Sequence, residues 1–426
     1  MDVIIKPKLL EGNINIPPSK SLAHRAIIAA SLANGRSIIT NVDFSKDIIA
    51  TIDAMRALGA IIDINGDTLT IEGSYPKRVK QSINAKESGS TLRFLIPISM
   101  LADDKITFKG ENNLVNRPLD VYTNIFDEKN IKYSSKEKAL PLTIYDKLVS
   151  GEYRFRGDIS SQFITGLLYA LPLLKSDSKI ILTTPLESIG YVDLTIDILA
   201  KFGVKIINNG YSEFIIKGNQ EYKPYNYEVE GDYSQAAFFL VADALGSNIK
   251  VNGLNLSSIQ GDKKILNDLM SFGLTVNKTS NEISVDGKPK GTKISFKHSP
   301  DLAPALSVLA SLSQGESLFT DAERLRIKES DRISSMINEL SILGANVTEA
   351  LDTMAFLGVD YFKGGVVDSH NDHRIAMSLA IASTRAIGDI RITNAECVSK
   401  SDPNFWEDFK SLGGDISYEE SWWNKS

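Results

Sequence analysis

The sequence predicts an α/β protein of two domains, each built from three copies of a mixed unit holding two helices and several strands. Three observations point there. A helix ending in an apolar residue and glycine, followed at once by a short β-branched strand, returns with a period of about 70 residues. Between these marks a polar helix start leads repeatedly into a long apolar run. At 426 residues, 42% hydrophobic and 23% charged, the chain exceeds one domain and has an ordinary globular composition. Units so long and so mixed argue against a thin solenoid, and six of them group most simply as two domains of three.

The marks, in order, are MRALGAIID around Gly59, FDEKNIKY with Asn130, LAKFGVKII around Gly203, LMSFGLTVN around Gly273, ELSILGANVT around Gly344 and FKSLGGDIS around Gly413. Asn130 fits because Asn is the other residue that tolerates a left-handed helix cap. The polar helix starts are PSKSLAHR, ESGSTLRF, ISSQFITG, GDYSQAAF, HSPDLAPA and NDHRIAMS. In the first, Pro17 and Pro18 stop a preceding strand, and an apolar helix follows whose first turn holds Ser21 and Arg25. Lys20 and Arg25 add positive charge to the positive end of the helix dipole, so the segment reads as an anion site. The opening strand, before Pro17, can pair with either domain. The polar stretch Lys217 to Gly231, with Pro224, falls between the third and fourth copies and reads as a crossing linker.

Composition narrows the function. The single Cys397 excludes an internal disulfide framework and a multi-cysteine metal site. The N-terminus lacks a sustained apolar segment, and no apolar run approaches the roughly 20 residues that span a bilayer, so the expectation is a soluble cytoplasmic protein with no membrane partner. With 47 basic against 53 acidic residues, the surface as a whole repels nucleic acid, which favours a small anionic ligand met by local basic clusters. His370 and His373 have a three-residue spacing, yet His24 and His298 are the only others, so no metal is expected. No Walker-type loop and no S-x-x-K pair appear, and no cofactor is called for.

Several separated motifs then coincide: PSKSLAHR, SGSTLR from Ser88 to Arg93, NRPLD from Asn116 to Asp120, SSQF from Ser160 to Phe163, LRIKESDR from Leu325 to Arg332, NDHR from Asn371 to Arg374, and Lys400 ahead of DPNFW. Together they resemble the enolpyruvyl transferases, end to end, and within them the branch whose acceptor is shikimate 3-phosphate. The resemblance implies a two-domain fold of six βαβαββ repeats, three per domain, with helix N-termini facing a ligand cleft between the domains. It assigns residues 1–14 with 229–426 to a discontinuous domain and 15–228 to an inserted one. The implied reaction joins phosphoenolpyruvate to the 5-hydroxyl of shikimate 3-phosphate and releases phosphate, by addition and elimination through a tetrahedral intermediate. Both substrates are phosphorylated carboxylates, carrying about six negative charges together near neutral pH.

By the same resemblance, Lys20, Gly89, Arg117, Gln162, Arg332, Arg374 and Lys400 hold phosphoenolpyruvate. Ser21, Arg25 and Tyr191 hold the shikimate carboxylate, and Ser160, Ser161, Ser188 and Lys328 its phosphate. Lys20, Gln162 and Asp301 face shikimate 3-phosphate as well. Asp301, Glu329 and Lys20 are the candidates for moving protons, with acid and base undivided among them. Some positions depart from the common pattern: Glu87 stands where many members have Asn, Ser88 and Ser90 replace a common Ala or Gly and Thr, and Ile189–Gly190 replaces Lys-Pro. Arg324 is a candidate extra phosphate contact. The sister activity, on UDP-N-acetylglucosamine, goes with a Cys or Asp before the RPLD-like arginine, and GENNLVNRP has neither. A non-enzymatic phosphate- or RNA-binding repeat protein would show basic faces interleaved with aromatics, against the acidic balance here. The expected partners are thus the two small substrates, met by a monomer.

Overall fold

Each of the six marks ends a helix in the same way. In the computed structural model, which describes residues 1–103, 105–279 and 282–419, the glycines at 59, 203, 273, 344 and 413 have φ between 79° and 102°, and Asn130 has φ 54°. The residue after each donates its N–H five residues back, Ala60 to Met55, Ile131 to Phe126, Val204 to Leu199, Leu274 to Leu269, Ala345 to Leu340 and Gly414 to Phe409. This is the Schellman stop. The left-handed residue turns the chain, orphan carbonyls are satisfied, and an apolar side chain of the last helical turn covers the exit.

The chain divides into two compact units, Met1–Pro17 with Gly231–Ser426, and Pro18–Glu230. In the Pro18–Glu230 unit the helices are α1 (Lys20–Leu32), α2 (Lys46–Ala57), α3 (Gly89–Ser99), α4 (Asp120–Glu128), α5 (Ser161–Ala170) and α6 (Ile189–Lys201). The other unit holds α7 (Tyr233–Ala244), α8 (Ile265–Ser271), α9 (Ala303–Ser311), α10 (Arg332–Ile342), α11 (His373–Ala382) and α12 (Phe405–Ser411).

Among the described residues the strands form six four-stranded sheets with one shared order. An edge strand runs parallel to its neighbour, and two antiparallel strands follow. In the second copy Ser82–Asn84 is parallel to Ile106–Lys109, which pairs antiparallel with Ala139–Ile144 and that in turn with Tyr133–Lys136. Parallel neighbours need a crossover, and α3 supplies it. Each sheet with its helices is one βαβαββ copy.

Three copies borrow a strand from far along the chain. Both opening strands stay in the discontinuous unit: Glu11–Asn15 is parallel to Asn248–Asn252, and Asp2–Lys6 lies antiparallel between Ile390–Thr393 and Asp415–Glu419. The chain passes between the two units within Lys217 to Gly231, at Glu230–Gly231, but the stretch before that point belongs to the Pro18–Glu230 unit rather than to a linker. Tyr227–Glu228 is the edge strand of the first copy, parallel to Gly35–Thr40, and Tyr222 donates its hydroxyl to the Tyr169 carbonyl at 2.8 Å. The segment has too few apolar residues to announce itself, and its strand is only two residues long.

Burial separates the helices into two kinds. α1, α3 and α5 are buried almost throughout, as are α7, α9 and α11, so each unit has three central helices under its sheets. Aromatic contacts lock the first trio: Phe94 of α3 lies against His24 of α1 and Tyr169 of α5. Five of the six predicted polar starts become side-chain caps, from Ser19, Ser88, Ser160, Asp232 and Asp372. At the sixth, a short 3-10 turn, Pro300–Leu302, precedes α9. Among the described residues, no helix is long and apolar enough to cross a membrane.

Candidate active site

In the Pro18–Glu230 unit the starts of α1, α3 and α5 are tied together. Ser19 caps α1 by accepting from the Leu22 N–H, which puts Lys20 and Ser21 in the first turn. The Lys20 ammonium donates to Asp47 Oδ2 at 2.9 Å, with 17% of the Lys20 side chain exposed. Arg25, one turn on, is buried. Its Nη1 donates to Ser21 O at 2.7 Å, its Nη2 to Tyr191 O at 2.9 Å and its Nε to Thr195 Oγ1 at 2.9 Å. The structure therefore joins Ser21, Arg25 and Tyr191, with the guanidinium acting first as the brace between α1 and α6.

Gly89 opens α3, and the Arg117 guanidinium packs where a side chain would begin. Gln162 in the first turn of α5 reaches across to α3, donating from Nε2 to Ser90 Oγ at 3.0 Å and accepting from Arg93 Nη1 at 2.8 Å. Ser160 caps α5 by accepting from the Gln162 N–H, and Ser161 follows it. Ser188 precedes α6 in a left-handed conformation, φ 55°, and the neighbouring Glu187 N–H donates to Gly157 O, which brings the loops before α5 and α6 side by side.

In the other unit the starts of α7, α9, α10 and α11 surround one network of alternating charge. Asp301, just ahead of α9, lies 2.9 Å from Arg332 Nη1, 3.6 Å from Lys328 Nζ and 3.3 Å from Arg374 Nη2. Arg332 continues it, with Nη2 2.7 Å from Glu329 Oε2 and Nε 2.8 Å from Asp372 Oδ2. Asp372 also caps α11 by accepting from the Arg374 N–H, and Arg374 donates to Ser234 Oγ in α7. Three cations and three carboxylates balance, so the network is satisfied before any ligand arrives.

These neighbours shift the acids and bases in opposite senses. Burial opposes ionisation of Asp301, yet Arg374, Lys328 and Arg332 outweigh it and hold the carboxyl well below the usual range. Burial pulls the Lys328 ammonium down to about 8 against the attraction of Asp301. Arg332 is driven the other way: burial is outweighed by Asp372, Glu329 and Asp301, which hold its proton more tightly.

Of the predicted residues, Asp301, Lys328, Glu329, Arg332 and Arg374 thus meet in one network. Lys400 ends the 3-10 helix Ala395–Lys400 and is buried, and the adjacent Ser401 Oγ accepts from Gln235 of α7. Arg324 donates to Lys297 O at 2.9 Å. The structure adds Asp47, Arg93, Thr195 and Asp372 to the residues expected from the sequence. Asp372 was legible, as an acid at a capping position inside NDHR, and Arg93 closes SGSTLR. Asp47 and Thr195 carry no local signal. His370 bonds Glu339 at 2.7 Å and His373 lies 3.8 Å from Asp372, while among the described residues no group of three or more His, Cys, Asp or Glu is arranged to hold a metal.

The model of the EPSP synthase (3-phosphoshikimate 1-carboxyvinyltransferase) family matches residues 4–409. A 3-phosphoshikimate 1-carboxyvinyltransferase of Clostridium perfringens is 54% identical over 418 residues, covering 97% of this chain and 98% of the relative. That of Clostridioides difficile is 53% identical over 425 residues, 97% of each chain. Among solved structures, the EPSP synthase from Acinetobacter baumannii superposes with a TM-score of 0.81 at 26% identity, covering 98% of this chain and 100% of that one. With matching motifs, a matching fold and relatives this similar along nearly its whole length, the chain belongs to the EPSP synthase family.

Proposed function

We propose that this chain transfers the enolpyruvyl group of phosphoenolpyruvate to the 5-hydroxyl of shikimate 3-phosphate, giving 5-enolpyruvylshikimate 3-phosphate and phosphate on the route to aromatic amino acids. The observation that carries the reading is Asp301, an ionised carboxylate at a helix start held by Arg332, Lys328 and Arg374. Cations that already hold one carboxylate are placed to hold the carboxylates and phosphates of substrates, and Asp301 is an anion ready to accept a proton.

The roles are those the family resemblance implies, and the residue types suit them. Lys20, Arg117 beside Gly89, Gln162, Arg332, Arg374 and Lys400 take phosphoenolpyruvate, arginines by their forks and lysines as point charges. Ser21, Arg25 and Tyr191 take the shikimate carboxylate, and Ser160, Ser161, Ser188 and Lys328 its phosphate. Hydroxyls and helix N–H groups bind phosphate without adding charge. Asp301 orients the 5-hydroxyl and takes its proton as the oxygen bonds to C2 of phosphoenolpyruvate. Glu329, with Lys20 as partner acid, delivers a proton to the methylene carbon and removes one from the resulting methyl as the phosphate leaves. The reading has the chain act as a cytoplasmic monomer on these two substrates, without metal or cofactor.

Phosphate release measured with each substrate alone and with both tests it. Release is expected only when both are present, and robust turnover with UDP-N-acetylglucosamine as acceptor would overturn it.

A further inference from the structure

Lys20 and His24 stand four residues apart on α1, and Asp47 and Thr51 stand four apart on α2, so each pair shares one helix face. The faces meet as two rungs. Lys20 Nζ donates to Asp47 Oδ2 at 2.9 Å, and His24 Nδ1 lies 2.7 Å from Thr51 Oγ1. Thr91 of α3 sits where both rungs end, its Oγ1 2.7 Å from Thr51 Oγ1 and 3.4 Å from the Asp47 carbonyl. Ser88 completes the chain of hydroxyls. Its Oγ accepts from Thr91 Oγ1 at 2.7 Å and from Thr91 N at 3.1 Å, and so caps α3 directly before Gly89.

Counting hydrogens gives the chain a direction. The Thr91 hydroxyl has one hydrogen and donates it to Ser88 Oγ, so the hydrogen between Thr51 and Thr91 belongs to Thr51. Thr51 then offers His24 only lone pairs, and His24 must carry its hydrogen on Nδ1. Nε2 is buried with no hydrogen-bond partner, which this tautomer leaves as a lone pair rather than a stranded N–H. Burial, with Lys20 and Arg25 nearby, holds the His24 pKa well below 6.5 and keeps the ring neutral.

We propose that His24, as its Nδ1–H tautomer, is a positioning residue: through Thr51 and Thr91 it sets where the start of α3, with Gly89 and Arg117, stands relative to Lys20. The proposal rests on the reaction above only for its kinetic readout. None of His24, Thr51 and Thr91 touches substrate in that reaction. Their effect passes through groups assigned to phosphoenolpyruvate.

Thr51→Val keeps the side-chain shape and removes the relay, His24→Leu removes the donor, and His24→Asn places an amide N–H near the position of Nδ1. One lost hydrogen bond corresponds to a rise of about five- to tenfold in KM for phosphoenolpyruvate in the first two variants. kcat and KM for shikimate 3-phosphate are expected within about twofold of the parent, since the groups assigned to that substrate, such as Ser21, Arg25, Tyr191 and Ser160, keep their own contacts. His24→Asn is expected to restore the lower KM. A Thr51→Val enzyme with unchanged KM, equal rises for both substrates, or an Asn variant no better than Leu would each overturn the proposal. Should His24→Leu not fold, Thr51→Val carries the comparison. Long-range ¹H–¹⁵N spectra of the four histidines give an independent readout, the signal lost in His24→Asn being that of His24. A hydrogen on Nδ1 is expected, and one on Nε2 refutes the relay. If the parent released no phosphate at all, the reaction assignment would fail while the tautomer still decided the relay.

Discussion

Gly89 and Arg117 are so close that a methyl group on Gly89 would lie 2.6 Å from Arg117 Nη1 and 3.2 Å from its Cζ. The obstructing atoms are the far end of a flexible side chain, so Gly89→Ala displaces the guanidinium rather than the fold. KM for phosphoenolpyruvate should rise at least about tenfold, as for loss of a charge-assisted hydrogen bond, with the denaturant midpoint nearly unchanged. Steady-state kinetics beside a denaturation curve checks both. An unchanged KM would mean that Arg117 does not meet this substrate.

Two carboxylates on the same guanidinium should behave differently. Glu329 is 17% exposed and holds only one of the Arg332 contacts, so Glu329→Gln leaves Arg332 bound to Asp301 and Asp372. Its kcat should fall by about 10²- to 10⁴-fold at a stability cost below about 1 kcal/mol. Asp372 is fully buried, pairs with Arg332 and caps α11, so Asp372→Ala should destabilise by about 3–5 kcal/mol. Urea denaturation set against kcat for both variants separates the cases.

Lys328 gives a pH signature. Its ammonium, brought down to about 8 by burial, is charged below that pH and neutral above it in the free enzyme. kcat/KM for shikimate 3-phosphate should therefore be level on the acid side and fall as pH rises through about 8. Lys328→Arg keeps its charge throughout, so the alkaline limb should disappear from its profile even if the maximum is lower.

His370 and Glu339 form a pH-dependent clamp on the turn that leads into α11. His370 and Asn371 both have left-handed backbones, φ 52° and 54°, and His370 Nε2 meets Glu339 Oε1 at 2.7 Å. The hydrogen bond that Glu339 accepts, with Asp368 and Asp372 nearby, raises the His370 pKa above 6.5. A raised folded-state value means that the pair's stabilisation is fully present below pH 6.5 and is lost as pH rises through the folded-state pKa. Thermal midpoints measured across that window should decline more in the parent than in Glu339→Gln, and parallel curves would refute the clamp.

Much of the fold was legible because its signals are local. A helix that stops by turning left-handed needs Gly or Asn at one position, so Gly59, Asn130, Gly203, Gly273, Gly344 and Gly413 mark all six copies in the sequence itself. Capping residues and apolar runs marked the six central helices for the same reason. The site's residue types were legible too, since two phosphorylated carboxylates demand clustered Lys and Arg beside helix starts. Pairing was not. That Tyr227–Glu228 completes a sheet with Gly35–Thr40, or that Asp2–Lys6 closes a sheet with Asp415–Glu419, depends on which edges remain open after the chain has packed. The partners of the charged groups were equally hidden. Lys20 meets Asp47, Arg25 meets Thr195, and Arg332 meets Asp301 and Asp372 across 27, 170, 31 and 40 residues, because a buried charge takes whatever counter-group the fold brings within reach. The sequence alone determined where helices begin and end and which chemistry gathers at their starts. Tertiary structure alone decided which charges neutralise one another, and so which carboxylate is ionised and which lysine titrates near pH 8.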